Sequence, residues 1–343
     1  MKNLIRSTYL ILFLTVFQFS AVQAQKKQKM ELIIFDTDMG NDIDDVLALD
    51  MLYKYADQGK IKLLGIMNNK GSAYSTRLID LLSTWYGYGK VPIGKIESGV
   101  LIDDYADYSK NMVQLNDSTN RYKYSVKQHD QLLPAHELYR KILAKQADGS
   151  VTVVSVGFST NLARLLQSGP DKYSKLDGKA LVAKKVKLLS IMAGSFGDKK
   201  RAEFNVIHDI PAARYTLANW PGEIVLSPFE VGKQVVYPGA SIQEDFQWAT
   251  HHPLVDAYKR YRPFPYNRPT WDLTSVYYIG EKENSLLDKS KPGILTINEQ
   301  GYTDFVENPQ AIHYVLSIQK QHIEPLKTYF KDLIRQKPKA YRK

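Results

Sequence analysis

Cysteine is absent from the 343 residues. That excludes a disulfide framework, thiolate chemistry and a lipoprotein anchor attached through cysteine. Internal repeats and low-complexity linkers are absent as well, and nothing in the composition divides the chain. The first 24 residues stand apart. Lys2 and Arg6 precede the apolar run Tyr9 to Phe19, and Val22-Gln23-Ala24 offers small residues before Gln25. This pattern predicts a secretory signal peptide over residues 1–24, too short and wrongly flanked for a stable membrane span. The expectation is an exported protein, periplasmic or secreted, without membrane attachment once the peptide is removed. Residues 25–343 are then read as one α/β domain.

Charge of one sign is in excess. The formal net charge is +10, and removing Lys2 and Arg6 leaves +8 for residues 25–343. Much of that excess lies at the ends, in Lys26, Lys27 and Lys29 and again between Lys327 and Lys343. Terminal lysines without a stripe of interleaved aromatics behave as solvated tails, so no nucleic-acid partner is expected.

Acidic residues are instead concentrated in one place. Leu32 to Phe35 reads as a short buried strand. Asp36, Asp38, Asp42, Asp44 and Asp45 then follow within ten positions, before an apolar helix. Gly40 allows a tight strand-to-helix turn with positive φ. Helix N-capping accounts for one or two of these acids, not for five directly after a buried strand. Like charges at close range block one another's ionisation, so the cluster implies a cation. Calcium suits several carboxylates on an irregular loop better than magnesium does.

Beyond the acidic turn, helices and strands alternate. A helix is expected from Asp44 to about Tyr55, ended by Gln58-Gly59. A strand at Ile61–Met67, a helix at Ser75–Tyr86 and a short strand at Val91-Pro-Ile-Gly follow. Residues 100–132 read as irregular. Pro134 to Lys145 reads as a helix, and Ser150 to Val156 as a central strand. Lys187–Ala193 and Glu223–Pro228 read as further strands, with a closing β substructure and a basic terminal helix after them. Such alternation predicts an open, mostly parallel, doubly wound (Rossmann-like) sheet with flanking helices, and sites at the carboxyl ends of its strands. Asn68 and Asn69 stand at one such end and the acidic turn at another.

Asp36-Thr-Asp-Met-Gly-Asn-Asp-Ile-Asp-Asp45 followed by Val-Leu-Ala-Leu resembles the N-terminal signature of the inosine–uridine preferring nucleoside hydrolases. Their usual form is Asp-x-Asp-Pro-Gly-x-Asp-Asp; here Met39 replaces the proline, and two extra residues separate Gly40 from Asp44-Asp45. Gly157-Phe-Ser-Thr-Asn161 after a hydrophobic strand resembles the second signature, and Ala202-Glu-Phe-Asn205 the third. In the fourth, Asp272 matches an acid at a helix start, with Trp271 where the family has histidine. The resemblance runs from about Leu32 to Tyr278.

By this resemblance the protein hydrolyses the N-glycosidic bond of a ribonucleoside, giving free base and ribose, and Ca2+ is the cofactor. Asp38 would be a metal ligand and the general base. Asp45, Asp272 and the Val156 carbonyl would be further ligands. Asp44 and Asn69 would hold the ribose 2′-hydroxyl, with Asn68 a rival for the second role, and Glu203 and Asn205 would bind other ribose hydroxyls. A homodimer or homotetramer is implied. Trp271 cannot donate a proton as histidine does, but it offers a face for stacking a base, from which a purine preference is expected. Two other readings remain open at this level. One is a periplasmic nucleoside- or sugar-binding protein derived from a hydrolase. The other is a haloacid-dehalogenase-type phosphatase, which also begins with strand-Asp-x-Asp but expects Thr or Val where Gly40 stands. His208 reads as structural, and His251-His252 as surface or packing residues, since no third ligand stands at metal spacing.

Overall fold

The computed structural model describes residues 30–100, 107–199, 201–281 and 285–342. The expected signal peptide lies outside them. Strands β1 (Glu31–Thr37), β2 (Ile61–Asn68), β3 (Ile93–Gly94), β4 (Val151–Ser155), β5 (Val186–Met192) and β6 (Glu223–Ser227) form a parallel sheet in the order β3-β2-β1-β4-β5-β6. This is the doubly wound order, in which β1 and β4 are neighbours and the winding reverses between them. Further along the chain come the short pair β7 (Val236–Tyr237) and β8 (Arg268–Pro269), which forms its own two-stranded sheet. The closing substructure is β9 (Leu287–Lys289), β10 (Gly293–Ile297), β11 (Thr303–Glu307) and β12 (His313–Ile318). Strand β12 extends the main sheet parallel to β6, and β9, β10 and β11 add antiparallel pairs beyond it. The expected open, mostly parallel sheet is therefore observed.

Helices cover both faces. Over one lie α1 (Asp44–Asp57), α2 (Ala73–Trp85) and α3 (Tyr108–Thr119). The other carries α4 (Ala135–Leu143), α5 (Thr160–Gln167), α6 (Gly178–Lys185) and, after the one-turn α7 (Phe204–Ile207), α8 (Ile210–Asn219). The chain then returns to the first face through α9 (Phe229–Gln234), α10 (Gly239–Glu244), α11 (Pro253–Tyr261), α12 (Trp271–Gly280) and α13 (Ile323–Ile334). Strand β1 shows why its sequence is apolar without alternation: Ile33 and Phe35 enter one core and Ile34 the other.

Residues 100–132 depart from the irregular reading. Helix α3 occupies 108–119, capped by Asp107, whose carboxylate accepts from Ser109 N and Lys110 N. The stretch is polar overall, yet Tyr108, Met112, Val113 and Asn116 form a buried face at helical spacing. Asn116 belongs to that face because its amide exchanges hydrogen bonds with the backbone of Tyr122. Residues 101–106 lie outside the described set. Among the described residues no helix is long and apolar enough to cross a membrane.

Helix α1 is buried on every side from Asp44 to Tyr55, between the sheet and the layer of α12 and α13. It therefore carries a buried ion pair. Lys54 Nζ lies 3.6 Å from Asp50 Oδ1, with neither side chain exposed, and donates to the Gln336 carbonyl beyond α13. Tyr86 supplies a second donor to Asp50. Removing one partner of such a pair leaves a buried uncompensated charge, at a cost of about 3–5 kcal/mol. Lys54→Met is expected to lose that much in urea unfolding, and Asp50→Asn in the same chain to recover a substantial part. Equal stabilities of the single and double variants would contradict this account.

Candidate active site

The carboxyl ends of β1, β4 and β5 open into a cleft of about 180 Å³ at the point where the winding reverses. Six carboxylates line it: Asp38, Asp42, Asp44, Asp45, Glu203 and Asp272. The Val156 backbone, Asn41 and Asn205 add polar groups. Met192, Phe204, Phe229, Tyr261 and Trp271 form its apolar wall, and Arg262 and Arg268 stand at its edge.

Two glycines make the floor possible. Gly40 has φ +115, and a Cβ there would meet Ser109 Oγ at 2.8 Å. At Gly157 a Cβ would fall 2.6 Å from Asp38 N and 2.6 Å from Asn69 Oδ1. The β4 turn thus approaches the β1 turn backbone to backbone, and Val156 N donates to the Asp36 carbonyl at 2.8 Å. From the other side Tyr108 straps the acidic turn: its hydroxyl accepts from Gly40 N (3.1 Å) and donates to the Asp42 carbonyl (2.8 Å).

Within this frame each predicted residue has a definite place. Asp38 and Asp45 leave the end of β1 and the start of α1. Asp38 accepts from Asn41 Nδ2 at 2.7 Å, and Asp45 from the Thr37 hydroxyl. Asp44 accepts from Asp272 N at 3.1 Å, which ties the first turns of α1 and α12 together. Asn205 donates Nδ2 to the Val156 carbonyl (2.9 Å) and to the Met192 carbonyl (3.2 Å). Glu203 accepts from Gly194 N (3.2 Å) and Asn205 N (3.0 Å). Trp271 donates Nε1 to the Phe229 carbonyl at 3.0 Å and stacks on the Phe229 ring, with centroids 5.6 Å apart.

Asn69 lies behind the cleft rather than on its wall. Its amide donates to Asp36 and accepts from Phe158 N at 3.3 Å. Asn68 is turned the other way, onto the Lys70 backbone. Asp36 is likewise in a deeper layer, where Tyr139 (2.9 Å) and Asn161 (3.4 Å) complete its hydrogen bonds. Glu230, at the start of α9, holds the loop after β5 through Ser195 Oγ, Phe196 N and Gly197 N. His252 is packed among Trp85, Phe246 and Trp248, and His208 bonds the Phe204 carbonyl of its own turn.

Tyr108, Tyr139, Lys70 and Arg268 support the site without a signal in the sequence, as does Asn161, which closes the second signature but had no role assigned to its side chain. Their signal is spatial. Tyr139 and Asn161 are ordinary helix residues until the parallel sheet brings α4 and α5 under β1. Lys70 is buried, with Nζ 3.4 Å from Asp107, and its charge draws the Asp38 carboxyl down.

Electrostatically the cleft is under tension. Burial pushes the Asp36 and Glu203 carboxyls up to about 7 and that of Asp38 to about 6. Asp44, Asp45 and Asp272 are raised well above the carboxylate range, by burial first and then by one another and Asp42. Asp44 Oδ1 and Asp45 Oδ2 are buried without a hydrogen-bond donor among the described residues. Among the described residues no group of three or more His, Cys, Asp or Glu side chains is arranged to hold a metal ion. The residues lining the cleft offer carboxylate and carbonyl oxygens, the donor type a hard divalent cation takes, and Asp44 Oδ1 and Asp45 Oδ2 are the two without a hydrogen-bond partner.

The sequence profile described as "Inosine-uridine preferring nucleoside hydrolase" matches residues 33–303. A search of curated proteins returned no match. Among solved structures, a plant nucleoside hydrolase is 18% identical, covering 90% of this chain and 99% of its own, with a TM-score of 0.67. An inosine-uridine preferring nucleoside hydrolase from Bacillus anthracis is 17% identical, covering 89% and 99%, with a TM-score of 0.62. A purine-preferring ribonucleoside hydrolase from Gardnerella vaginalis is 15% identical, covering 89% and 98%, with a TM-score of 0.68. At these identities the likeness establishes the fold.

The raised carboxyls set a pH dependence. In the unfolded chain Asp36 and Glu203 ionise near 3.8 and 4.5; in the folded chain they do so near 7. The folded protein binds more protons in that window, so the stability from these groups is present below about 4 and lost as pH rises through about 7. Thermal melts in chelator are expected to show this decline, and Glu203→Gln to flatten it. A wild-type slope unchanged by that substitution would remove Glu203 from the account.

Proposed function

The chain belongs to the inosine-uridine preferring nucleoside hydrolase family, whose members act on N-glycosyl bonds, and from that premise we propose calcium-dependent hydrolysis of ribonucleosides, purine nucleosides preferred, to free base and ribose. The observation that carries the reading is the convergence of Asp38, Asp44, Asp45, Asp272 and the Val156 carbonyl at one end of an aromatic-walled cleft. The family assignment sets the phosphatase reading aside.

Each residue then has a task. Asp38, Asp45, Asp272 and the Val156 carbonyl would hold the calcium, which supplies a polarised water and balances the acidic charge. Asp38 takes the proton from the attacking water, its basicity raised chiefly by its burial. Glu203 and Asn205 hold ribose hydroxyls from the β5 side; Asp44 holds the 2′-hydroxyl. Asn69, anchored to Asp36, reaches that hydroxyl only by turning from its bond to Phe158 N. The carboxylates around the sugar favour the oxocarbenium-like charge that develops as the bond to the base breaks. Trp271 and Phe229 supply the flat wall on which a base stacks, and the larger purine covers more of it. We further place the protein outside the cytoplasm, on the strength of residues 1–24.

Purified protein is expected to carry stoichiometric calcium without its addition, and chelation to lower its melting temperature. Zinc in its place, or no response to calcium, would count against the metal assignment. For turnover, ribonucleosides are screened for reducing-sugar release. Wild type should cleave inosine faster than uridine, and Asp38→Asn should lose at least 100-fold in kcat, the scale of a positioned general base. Calcium content and ribose affinity are measured in the same variant. Near-normal turnover by Asp38→Asn with calcium bound would reject Asp38 as the base.

A further inference from the structure

Two of the features that set this chain apart from the family signatures are the extra residues after Gly40 and the tryptophan at position 271. The structure joins them. Asp42 lies in the extended turn, and its carboxylate grips Arg268 with two hydrogen bonds, Nε to Oδ1 at 2.8 Å and Nη2 to Oδ2. Arg268 precedes α12, lines the cleft, and places its guanidinium carbon 5.1 Å from the centre of the Trp271 ring and 5.2 Å from that of Tyr261. Its side chain is 13% exposed. Nη1 has no partner among the described residues, so one edge of a fixed, planar cation remains available beside the aromatic wall.

We propose that Arg268 stabilises the negative charge of the departing base, with Asp42 as its positioning residue. The inference rests on the hydrolase reading. In the step, the bond from C1′ to the base nitrogen breaks and its electron pair leaves with the base. The water oxygen bonds to C1′ and its proton passes to Asp38. The base departs as an anion, hydrogen-bonded through Nη1 of Arg268, and takes its proton from solvent after release. A guanidinium does not act as a proton donor near neutral pH, so this replaces general-acid assistance with charge stabilisation. The guanidinium lies over the Trp271 ring, and the edge that Asp42 leaves free is the one that meets the base.

The proposal is tested by leaving-group dependence. Arg268→Met and Asp42→Asn are compared with wild type on inosine and on 4-nitrophenyl riboside, whose leaving group disperses its own charge. Arg268→Met should lower kcat/KM for inosine roughly 100-fold, the scale of losing one transition-state donor, and for the nitrophenyl riboside less than tenfold. Asp42→Asn should show the same selectivity at smaller size. Equal losses on both substrates, or no loss, would overturn the assignment and leave Arg268 as a brace of the acidic turn. Calorimetry with the urate monoanion is a second arm that does not depend on turnover. Wild type should bind it at least tenfold tighter than Arg268→Met, whose fold is checked by thermal melt. Equal binding, or none to either protein, again overturns the role. A wild type that cleaves no riboside would sink the hydrolase reading, and the urate comparison would then decide the case for Arg268.

Discussion

Mutual repulsion among buried acids is the constraint around which this molecule is built. Six carboxylates share one cleft, and no ordinary interior tolerates that many charges without compensation. Part of the compensation is internal: Asn41, Thr37 and the Asp272 backbone each donate to one acid, while Lys70 and Arg268 contribute charge from the sides. Two of the buried oxygens, Asp44 Oδ1 and Asp45 Oδ2, have no hydrogen-bond partner among the described residues. A fold that merely needed stability would have replaced these acids. They stand at the strand ends, where a doubly wound sheet presents ligands.

The wall opposite the acids follows a different logic. It consists of Phe204, Phe229, Tyr261 and Trp271, and its order comes from stacking and from one tryptophan N–H bonded to a backbone carbonyl. Trp271 and Asp272 are adjacent in sequence, so the first turn of α12 presents a flat apolar surface and a carboxyl group side by side. A ribonucleoside has this same division, with a planar base joined to a polar sugar. Gly232 permits the arrangement, since a Cβ there would stand 2.3 Å from Trp271 Cα.

Much of this was legible from the sequence, and the limits were physical. Strand β1 and helix α1 announced themselves by an apolar run, an acid cluster and Gly59 with φ +73 just past the helix end. The parallel order followed from alternation, and the grouping of Asp38, Asp45, Glu203, Asn205 and Asp272 from the family signatures. Helix α3 was hidden because its five buried positions include a tyrosine, a serine and an asparagine within a polar stretch. Periodicity in charge-poor, Asn-rich segments is weak even when the face is real. Asn69 was placed at the correct strand end, but which way its amide turns depends on Asp36 and Phe158, a matter of packing that spacing does not encode. Lys70, Tyr139 and Arg268 could not have been chosen, because what selects them is proximity across the fold.

The straps on the acidic turn come from far along the chain. Tyr108 lies 68 residues from Gly40, Arg268 lies 226 from Asp42, and the Asp272 amide lies 228 from Asp44. Loops of that length close slowly and only after much of the sheet has formed. The turn is therefore an early strand-and-helix segment whose working geometry arrives late, when α3 and α12 dock. A ribosome-bound chain that has folded only its first half would hold the acids without the restraints from Arg268 and the Asp272 amide. An excised peptide carrying residues 32–49 would have the whole signature and none of the site.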